Sequence, residues 1–529
     1  VQYYAVTPIL PGEQTGNRAL VLTLHGAGVQ ARRQAAVYTP KTWANIVAPT
    51  NRRPYGFDWE DWGRLDALEV LDLAMRRYRT DPDRVFLTGH SMGGHGVWHL
   101  GVTFPDRFAA IGPSAGWSSF FTYAGGTAFA ADDSIDAILA RAQQSSVTRD
   151  LARNYLHHGV YILHGGKDDN VPVEQAREMR NILDEFHTDV AYHEQPGAGH
   201  WWGDQCCDWG PMFDFFDDHV RSSLRQLDRI EFLTANPGIS ASSRWACIES
   251  QVKPLALSGI EIELDRARRH FQINTTNVAS LRIDPDAIEP GAPVHVTIDG
   301  QALGGPTWIA DQPMRLVRLG SRWSISNAPA SADRKGPQRY GPFKDAFRRH
   351  ARLVYGTAGS PDENAWAYRK ARYDAETFWY RGNGAFDVVA DCDFDFDADV
   401  DHNVILYGNA DTNRAWASLL ADSPVRVDRD GVVIAASRLA GDDLACLFIR
   451  PRPGSSVACV GVVSGTGPPG RRLVEQLPYF VSGVHYPDCI VIGPEMLTDD
   501  TRDGVAGIRA AGIFGPDWSV ENGDFAWRN

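Results

Sequence analysis

The sequence predicts a three-part chain: a doubly wound parallel α/β unit over residues 1–227, a β-rich unit over 228–340, and a second α/β unit over 341–529. Three observations carry this. Strand-like and helix-like segments alternate as far as residue 227, which is the pattern of a parallel sheet covered on both faces. Helical periodicity then fades, and short runs such as Ile260–Leu264, Val294–Ile298 and Leu316–Leu319 take over, punctuated by Asp299-Gly300 and Gly320-Ser321 turns. After Ala328-Pro329-Ala330-Ser331-Ala332, a linker by composition, long helical patterns return.

In the first unit, strands are expected near 19–24, 45–49, 85–88, 109–113, 159–163 and 189–193. Leu65, Leu68, Leu71 and Met75 mark one helix, and Met212, Phe215, Phe216 and Val220 another. In the third unit, Leu353–Gly356 leads to a helix spanning Ala365 to Tyr380. Val404–Gly408 leads to a second near Trp416, and Val460–Val463 to a third. A doubly wound sheet places its site at the carboxyl ends of its strands, so those loops come next.

The apolar run Val85–Thr88 enters Gly89-His90-Ser91-Met92-Gly93, and helix-compatible sequence through Val97–Leu100 follows. A serine hydroxyl is a weak nucleophile at neutral pH. It needs a sharp turn to expose it, a base to take its proton and N–H groups to hold the oxyanion. The flanking glycines permit that turn. The partners follow in the order acid, then histidine. Val160–Leu163 ends in His164-Gly165-Gly166-Lys167-Asp168-Asp169-Asn170-Val171-Pro172, which offers Asp168 or Asp169. Asp189–His193 leads to Pro196-Gly197-Ala198-Gly199-His200, a glycine-bracketed loop free to return to Ser91. Upstream, Ala19–Leu24 ends in His25-Gly26-Ala27-Gly28. Ala27 and Met92 are therefore the expected oxyanion donors, each worth about 3 kcal/mol. Of the aromatics near this mouth, Trp117, Trp201 and Trp202 are the expected substrate-facing residues, because flat rings suit sugar or aromatic acyl groups.

Residues 15–225 resemble the catalytic domain of the prolyl oligopeptidase-like α/β-hydrolases and the related bacterial carbohydrate and polyhydroxyalkanoate esterases. The strings that carry the resemblance are Leu24–Gly28, Asp81-Pro82-Asp83-Arg84-Val85, Gly89–Gly94, His164-Gly165 through Asp168–Pro172, and Gly199-His200-Trp201-Trp202. The resemblance implies an α/β-hydrolase fold, and it assigns the acid to Asp168 rather than Asp169. The C-terminal part resembles the tails of uncharacterised bacterial oligopeptidase-like proteins, which adds no chemistry.

The expected activity is that of a serine esterase forming an acyl-enzyme, acting on acetyl, feruloyl or hydroxyalkanoyl esters of a carbohydrate or polymer. The alternative is a serine peptidase of the prolyl oligopeptidase kind. Those enzymes usually carry a gating β-propeller, and only about twenty residues precede the His25-Gly26 strand, although Asp58, Glu60 and Asp61 offer a substitute for binding a peptide amine. A non-catalytic binding protein on the same fold is a third reading, and the complete set of Ser, Asp and His speaks against it.

A net charge of −14, from 52 Lys and Arg against 66 Asp and Glu, argues against a nucleic-acid partner. No apolar run is long enough to span a membrane. The chain opens at Val1 on strand-like residues, which suggests a secreted or periplasmic protein trimmed of a signal peptide. No cofactor or metal is expected. The seven cysteines form no Cys-x-x-Cys pair, although Cys206 or Cys207 is placed to tie down the His200 loop. His95 and His99 are four apart but lack the Glu of a zinc helix. The alternating aspartates Asp391–Asp401 fail the EF-hand spacing. Gly465-Thr466-Gly467-Pro468-Pro469-Gly470 mimics a dinucleotide-binding turn, but its prolines remove two phosphate-binding N–H groups.

Overall fold

A computed structural model describes residues 3–10, 18–123, 129, 133–498 and 507–528. Its first part is a seven-stranded sheet. The strands are β1 (Ala5–Thr7), β2 (Ala19–Leu24), β3 (Ala44–Ala48), β4 (Val85–His90), β5 (Ala110–Ser114), β6 (Gly159–Gly165) and β7 (Val190–Gln195), in the order β1-β3-β2-β4-β5-β6-β7. β1 runs antiparallel to β3, and every other neighbouring pair is parallel. β2 through β6 are buried along their whole length, which is why they read as unbroken apolar runs rather than alternating ones. The short β1 is only half-buried and carries no such run; its sole signal is the strand-like composition of the opening residues.

Two helices bear on the site. Helix α1 (Asp61–Tyr78) ends where Arg79 turns left-handed at φ 49°. Helix α2 (Met92–Thr103) leaves β4 through Ser91 and is buried over its whole length. The helix expected to reach Val220 stops at Asp217 and leaves Val220 exposed.

Residues 229–326 form two five-stranded sheets. One runs in the order Ser242–Ser243, Ala246–Gln251, Val278–Ile283, Met314–Leu319, Arg322–Ser326. The other runs Gln301–Leu303, His295–Ile298, His270–Thr276, Ser258–Asp265, Arg229–Thr234. Their inner faces share one core, with Ile230, Ile262 and Phe271 from one sheet meeting Ile248, Leu281 and Leu316 from the other.

The last part departs from a simple alternation. Its eight-stranded sheet is parallel through Asp387–Ala390, Ala351–Tyr355, Asn403–Tyr407 and Cys459–Gly465. It then continues through four antiparallel strands, Ala445–Pro451, Cys489–Ile492, Ile508–Ile513 and Asp524–Trp527. The long helix α3 (Pro361–Gly382) is nucleated by a capping box in which Ser360 accepts from the N–H of Glu363 and the Glu363 carboxylate accepts from the N–H of Ser360. The helix expected near Trp416 is a single turn, Trp416–Leu419, followed by a small three-stranded antiparallel sheet over 425–440. The chain runs into Asp422-Ser423-Pro424, which no helix continues through.

The first and last parts share a core. Phe57 and Trp62 are buried among C-terminal residues, with ring centroids 5.4 and 5.2 Å from Phe378. Trp62 donates its indole N–H to the Phe347 carbonyl at 3.1 Å, and Lys344 pairs with Asp61 at 2.7 Å. Phe57→Ala removes a fully buried ring from this seam, so it should lower the unfolding free energy by about 3–5 kcal/mol in urea denaturation.

Candidate active site

The turn between β4 and α2 sets the site. Ser91 sits at φ 62°, ψ −122°, which is strained for a residue with a Cβ, and its N–H is anchored to the Ser114 carbonyl at 3.0 Å. The turn closes only because its neighbours lack side chains. A Cβ on Gly93 would lie 2.0 Å from the Leu24 carbonyl oxygen, and one on Gly89 2.6 Å from that of Gly93.

The structure brings Ser91, His200 and Asp168 into one hydrogen-bonded chain. His200 Nε2 lies 2.9 Å from Ser91 Oγ, and His200 Nδ1 lies 2.8 Å from Asp168 Oδ2. With Nδ1 donating to the carboxylate, Nε2 is left as the acceptor for the serine proton. The Asp168 side chain is buried, and His200 is 18% exposed. Burial alone would raise the Asp168 pKa. Hydrogen bonds from His164, His200 and the N–H groups of Asn170 and Val171 outweigh it and hold the carboxyl well below the usual range. Asp169 is exposed, and none of these bonds reaches it.

Two histidines escaped the sequence reading. His164 Nε2 donates to the Val171 carbonyl at 2.9 Å and lies 3.2 Å from Asp168 Oδ2, so it props the acid loop and the acid together. His90 Nε2 donates to the His200 carbonyl at 2.8 Å and fixes the loop that carries the base. Burial and the neighbouring His200 push the His90 pKa down to about 3, so it stays neutral. The one signal for both is adjacency: His90 precedes Ser91, and His164 lies near the end of the strand before the acid.

Met92 opens α2, so its N–H has no acceptor inside the helix. Ala27 is exposed on the loop facing it, and Gly26 packs on Ser91, where an added Cβ would sit 3.9 Å from Oγ. The three tryptophans divide. Trp201 is 52% exposed and meets His90 edge-on at 5.4 Å. Trp117 is only 5% exposed, stacked between His95 at 4.9 Å and Tyr123 at 4.4 Å. Trp202 is half-buried against the apolar cluster around Cys206 and Phe213.

Other candidates are absorbed by the fold. His95 Nδ1 lies 3.1 Å from Asp58 Oδ1, and His99 Nε2 accepts from Arg64 at 3.1 Å. Burial disfavours the charge on His95, but Asp58 and Glu60 override it and raise its pKa to about 9. Glu60 also accepts from Ser146 Oγ at 2.9 Å, and both acids are buried. Among the described residues, no cluster of His, Cys, Asp or Glu has the arrangement of a metal site. In the acidic segment, Asp391 accepts from the N–H groups of Thr357 and Arg414, and Asp401 from Ser455 Oγ. At the glycine turn, the N–H groups of Gly467 and Gly470 go to the Asp442 carbonyl, leaving no phosphate cradle. Cys206 and Cys207 are buried free thiols.

Residues 52–222 match the Prolyl oligopeptidase family. An "Uncharacterized secreted protein" of Arthroderma benhamiae is 25% identical over 560 residues, covering 96% of this chain and 56% of that protein, so the chain spans little more than half of its relative's length. Solved structures with partial similarity include a thermostable esterase (20% identity, TM-score 0.31, 41% of this chain and 59% of that one). A Mycobacterium tuberculosis puromycin-hydrolyzing peptidase is also similar (19% identity, TM-score 0.32, 38% and 34%). Among the described residues, no helix is long and apolar enough to cross a membrane.

Two outcomes follow from this geometry. Asp168→Asn should cut turnover far more than Asp169→Asn, by up to about ten-thousand-fold, in steady-state kinetics on a simple chromogenic substrate. Asp58→Asn should lower the melting temperature more at pH 6 than at pH 9.5. The folded pKa of His95 is raised, so its pairing with Asp58 stabilises fully below the unfolded value near 6.5 and is lost as pH rises through about 9. Over residues 52–222 the chain is similar to the Prolyl oligopeptidase family, and the strands and helices that carry that similarity have the α/β-hydrolase arrangement.

Proposed function

We propose that the protein is a serine esterase that cleaves short-chain or aromatic acyl esters of a carbohydrate or polymer through an acyl-enzyme. The observation that carries the reading is the unbroken Ser91–His200–Asp168 chain at the mouth of a strained turn. In the proposed mechanism, Ser91 Oγ attacks the ester carbonyl carbon while His200 Nε2 takes its proton. The oxyanion is held by the N–H groups of Met92 and Ala27. His200 returns the proton to the departing alcohol as the carbonyl–oxygen bond breaks. Water, deprotonated by His200, then releases the acid and restores Ser91. Asp168 orients the imidazole and balances its transient charge.

The family match favours a peptidase as the second reading. What supports ester over peptide is the fate of the acids that would bind a peptide amine. Asp58 and Glu60 are buried and committed to His95 and Ser146, and Asp61 is paired with Lys344. Ester leaving groups also demand less of the general acid than amines do. The aromatic ring supporting the choice of acyl or alcohol group is the exposed Trp201, rather than Trp117 or Trp202. We also infer that the protein acts outside the cytoplasm, on the strength of its relative's description as secreted.

Ser91→Ala should abolish hydrolysis of para-nitrophenyl acetate and leave the melting temperature within a few degrees of the parent. In matched pairs, kcat/KM on acyl para-nitrophenyl esters should exceed that on amino-acid or proline nitroanilides. A dominant rate on an anilide would turn the assignment to peptidase.

A further inference from the structure

A cleft opens where the three parts of the chain meet. Arg64 of α1 lines it from the first part, Asn236 from the β-rich part, and Lys344, Asp345, Arg348 and His485 from the last. It is separate from the candidate active site, since Ser91, Asp168 and His200 do not line it. Arg64 is the residue here that the fold leaves unanswered. It is only 7% exposed, and a guanidinium buried this far ordinarily has a carboxylate partner. Among the described residues its side chain makes one hydrogen bond, the one from Nη1 to His99 Nε2, and no ion pair. Burial holds His99 neutral, with its pKa down at about 3, so it returns no charge. Burial, and after it the neighbouring Arg348 guanidinium, lower the Arg64 pKa to about 10 against the pull of Asp61, which leaves Arg64 charged at neutral pH. Arg64 also stands in the first turn of α1, where the helix dipole is already positive.

The acids of the cleft are engaged elsewhere. Asp61 is paired with Lys344, whose Nζ also donates to the Val481 carbonyl at 2.9 Å. Asp345 accepts from the N–H groups of Tyr340 and Gly341 at 3.4 and 3.3 Å, and its Oδ1 lies 3.6 Å from Arg348 Nη1. Arg348 in turn donates to the Gly238 carbonyl. Behind the cleft, Glu60 is held by Ser146 and His95. Burial lowers the His485 pKa and leaves that ring neutral. The lining thus carries Arg64, Lys344 and Arg348 against Asp61 and Asp345, three positive charges against two negative ones. In a chain with a net charge of −14, this excess is local and belongs to no general basic surface.

We propose that this cleft binds a small oxyanion, of the phosphate or carboxylate kind, between the Arg64 and Arg348 guanidinium groups. The planar fork of a guanidinium matches the paired oxygens of either group, and a charge-assisted bond there supplies the counter-charge that the chain itself withholds from Arg64. The depth of Arg64 selects a small ion over a macromolecule, whose own acidic groups do not reach so far below the surface. Because Arg64 belongs to the first part and Arg348 to the last, the bound ion ties the two together at the seam already formed by Phe57 and Trp62. The inference does not depend on which bond Ser91 cleaves.

The test is titration calorimetry of the full chain at neutral pH with sodium phosphate and, separately, sodium acetate, with sodium chloride at matched ionic strength as the reference. Melting temperatures are followed in the same solutions. The proposal expects saturable binding of one ion per chain by phosphate, by acetate or by both, and a melting temperature that rises with the concentration of the ion that binds. Binding of phosphate alone assigns the phosphate class, and binding of acetate alone the carboxylate class. Arg348→Gln should weaken the affinity by about tenfold or more, and so should Arg64→Lys, which keeps the charge and loses the fork. Arg348 has a side chain 32% exposed, so its variant carries the test if Arg64→Lys does not fold. Absence of saturable heat with both salts overturns the proposal. So does binding of equal strength in the parent and in Arg348→Gln, which would put the ion elsewhere, the mouth beside Ser91 included. A melting temperature that rises equally in parent and variant is the general effect of an excluded salt and overturns it as well.

Discussion

The site depends on one steric constraint, the passage of the chain from β4 into α2 through Ser91. A left-handed φ at a residue with a Cβ costs on the order of 1–3 kcal/mol, and it persists only where the surroundings leave no alternative. Here the surroundings are backbone. The start of α2 presses on the end of β2 so closely that Gly93 has no room for a methyl group, and the Ser91 N–H is bonded to the end of β5. Three adjacent parallel strands thus fix one hydroxyl. The histidine and the acid arrive on loops after the next two strands, β6 and β7, so the same sheet sets all three positions.

Around that constraint the protein uses histidine more as a structural donor than as a base. His90 and His164 each donate a hydrogen bond to a backbone carbonyl beside the chain of Ser91, His200 and Asp168, and each holds a loop rather than a substrate. His95 is kept charged between two buried carboxylates behind Trp117. That cluster explains why Asp58 and Glu60, which look available in the sequence, are not. Their charge is spent internally, and they anchor the segment that joins the first part of the chain to the last.

The sequence made the first part legible and the last part only partly so. Buried parallel strands appear as unbroken apolar runs, so β2 through β6 and their loops could be read directly, and with them Ser91 and the pair Asp168 and Asp169; His200 was marked by its glycine-bracketed loop, and only the family resemblance chose Asp168 of the pair. The β-rich part was legible as a class because period-2 runs and Asp-Gly or Gly-Ser turns are local signals. The antiparallel half of the C-terminal sheet was not. Whether a buried strand pairs parallel or antiparallel is settled by tertiary neighbours and not by its own residues. The helix expected near Trp416 is a single turn because Asp422-Ser423-Pro424 stops it, a local signal that the strand-then-helix pattern obscured. Trp117 was misread because an aromatic after a strand end says nothing about whether its ring stacks inward, as this one does on His95.

The central claim is that Ser91 is an activated nucleophile, and covalent trapping tests it most directly. The intact chain would be treated at neutral pH with a fluorophosphonate probe, digested, and its modified peptide identified by mass spectrometry. The account predicts one phosphonylated residue, Ser91, with labelling lost in His200→Ala, where no base remains to activate it. Labelling at another residue, or no labelling of the folded chain, would contradict it.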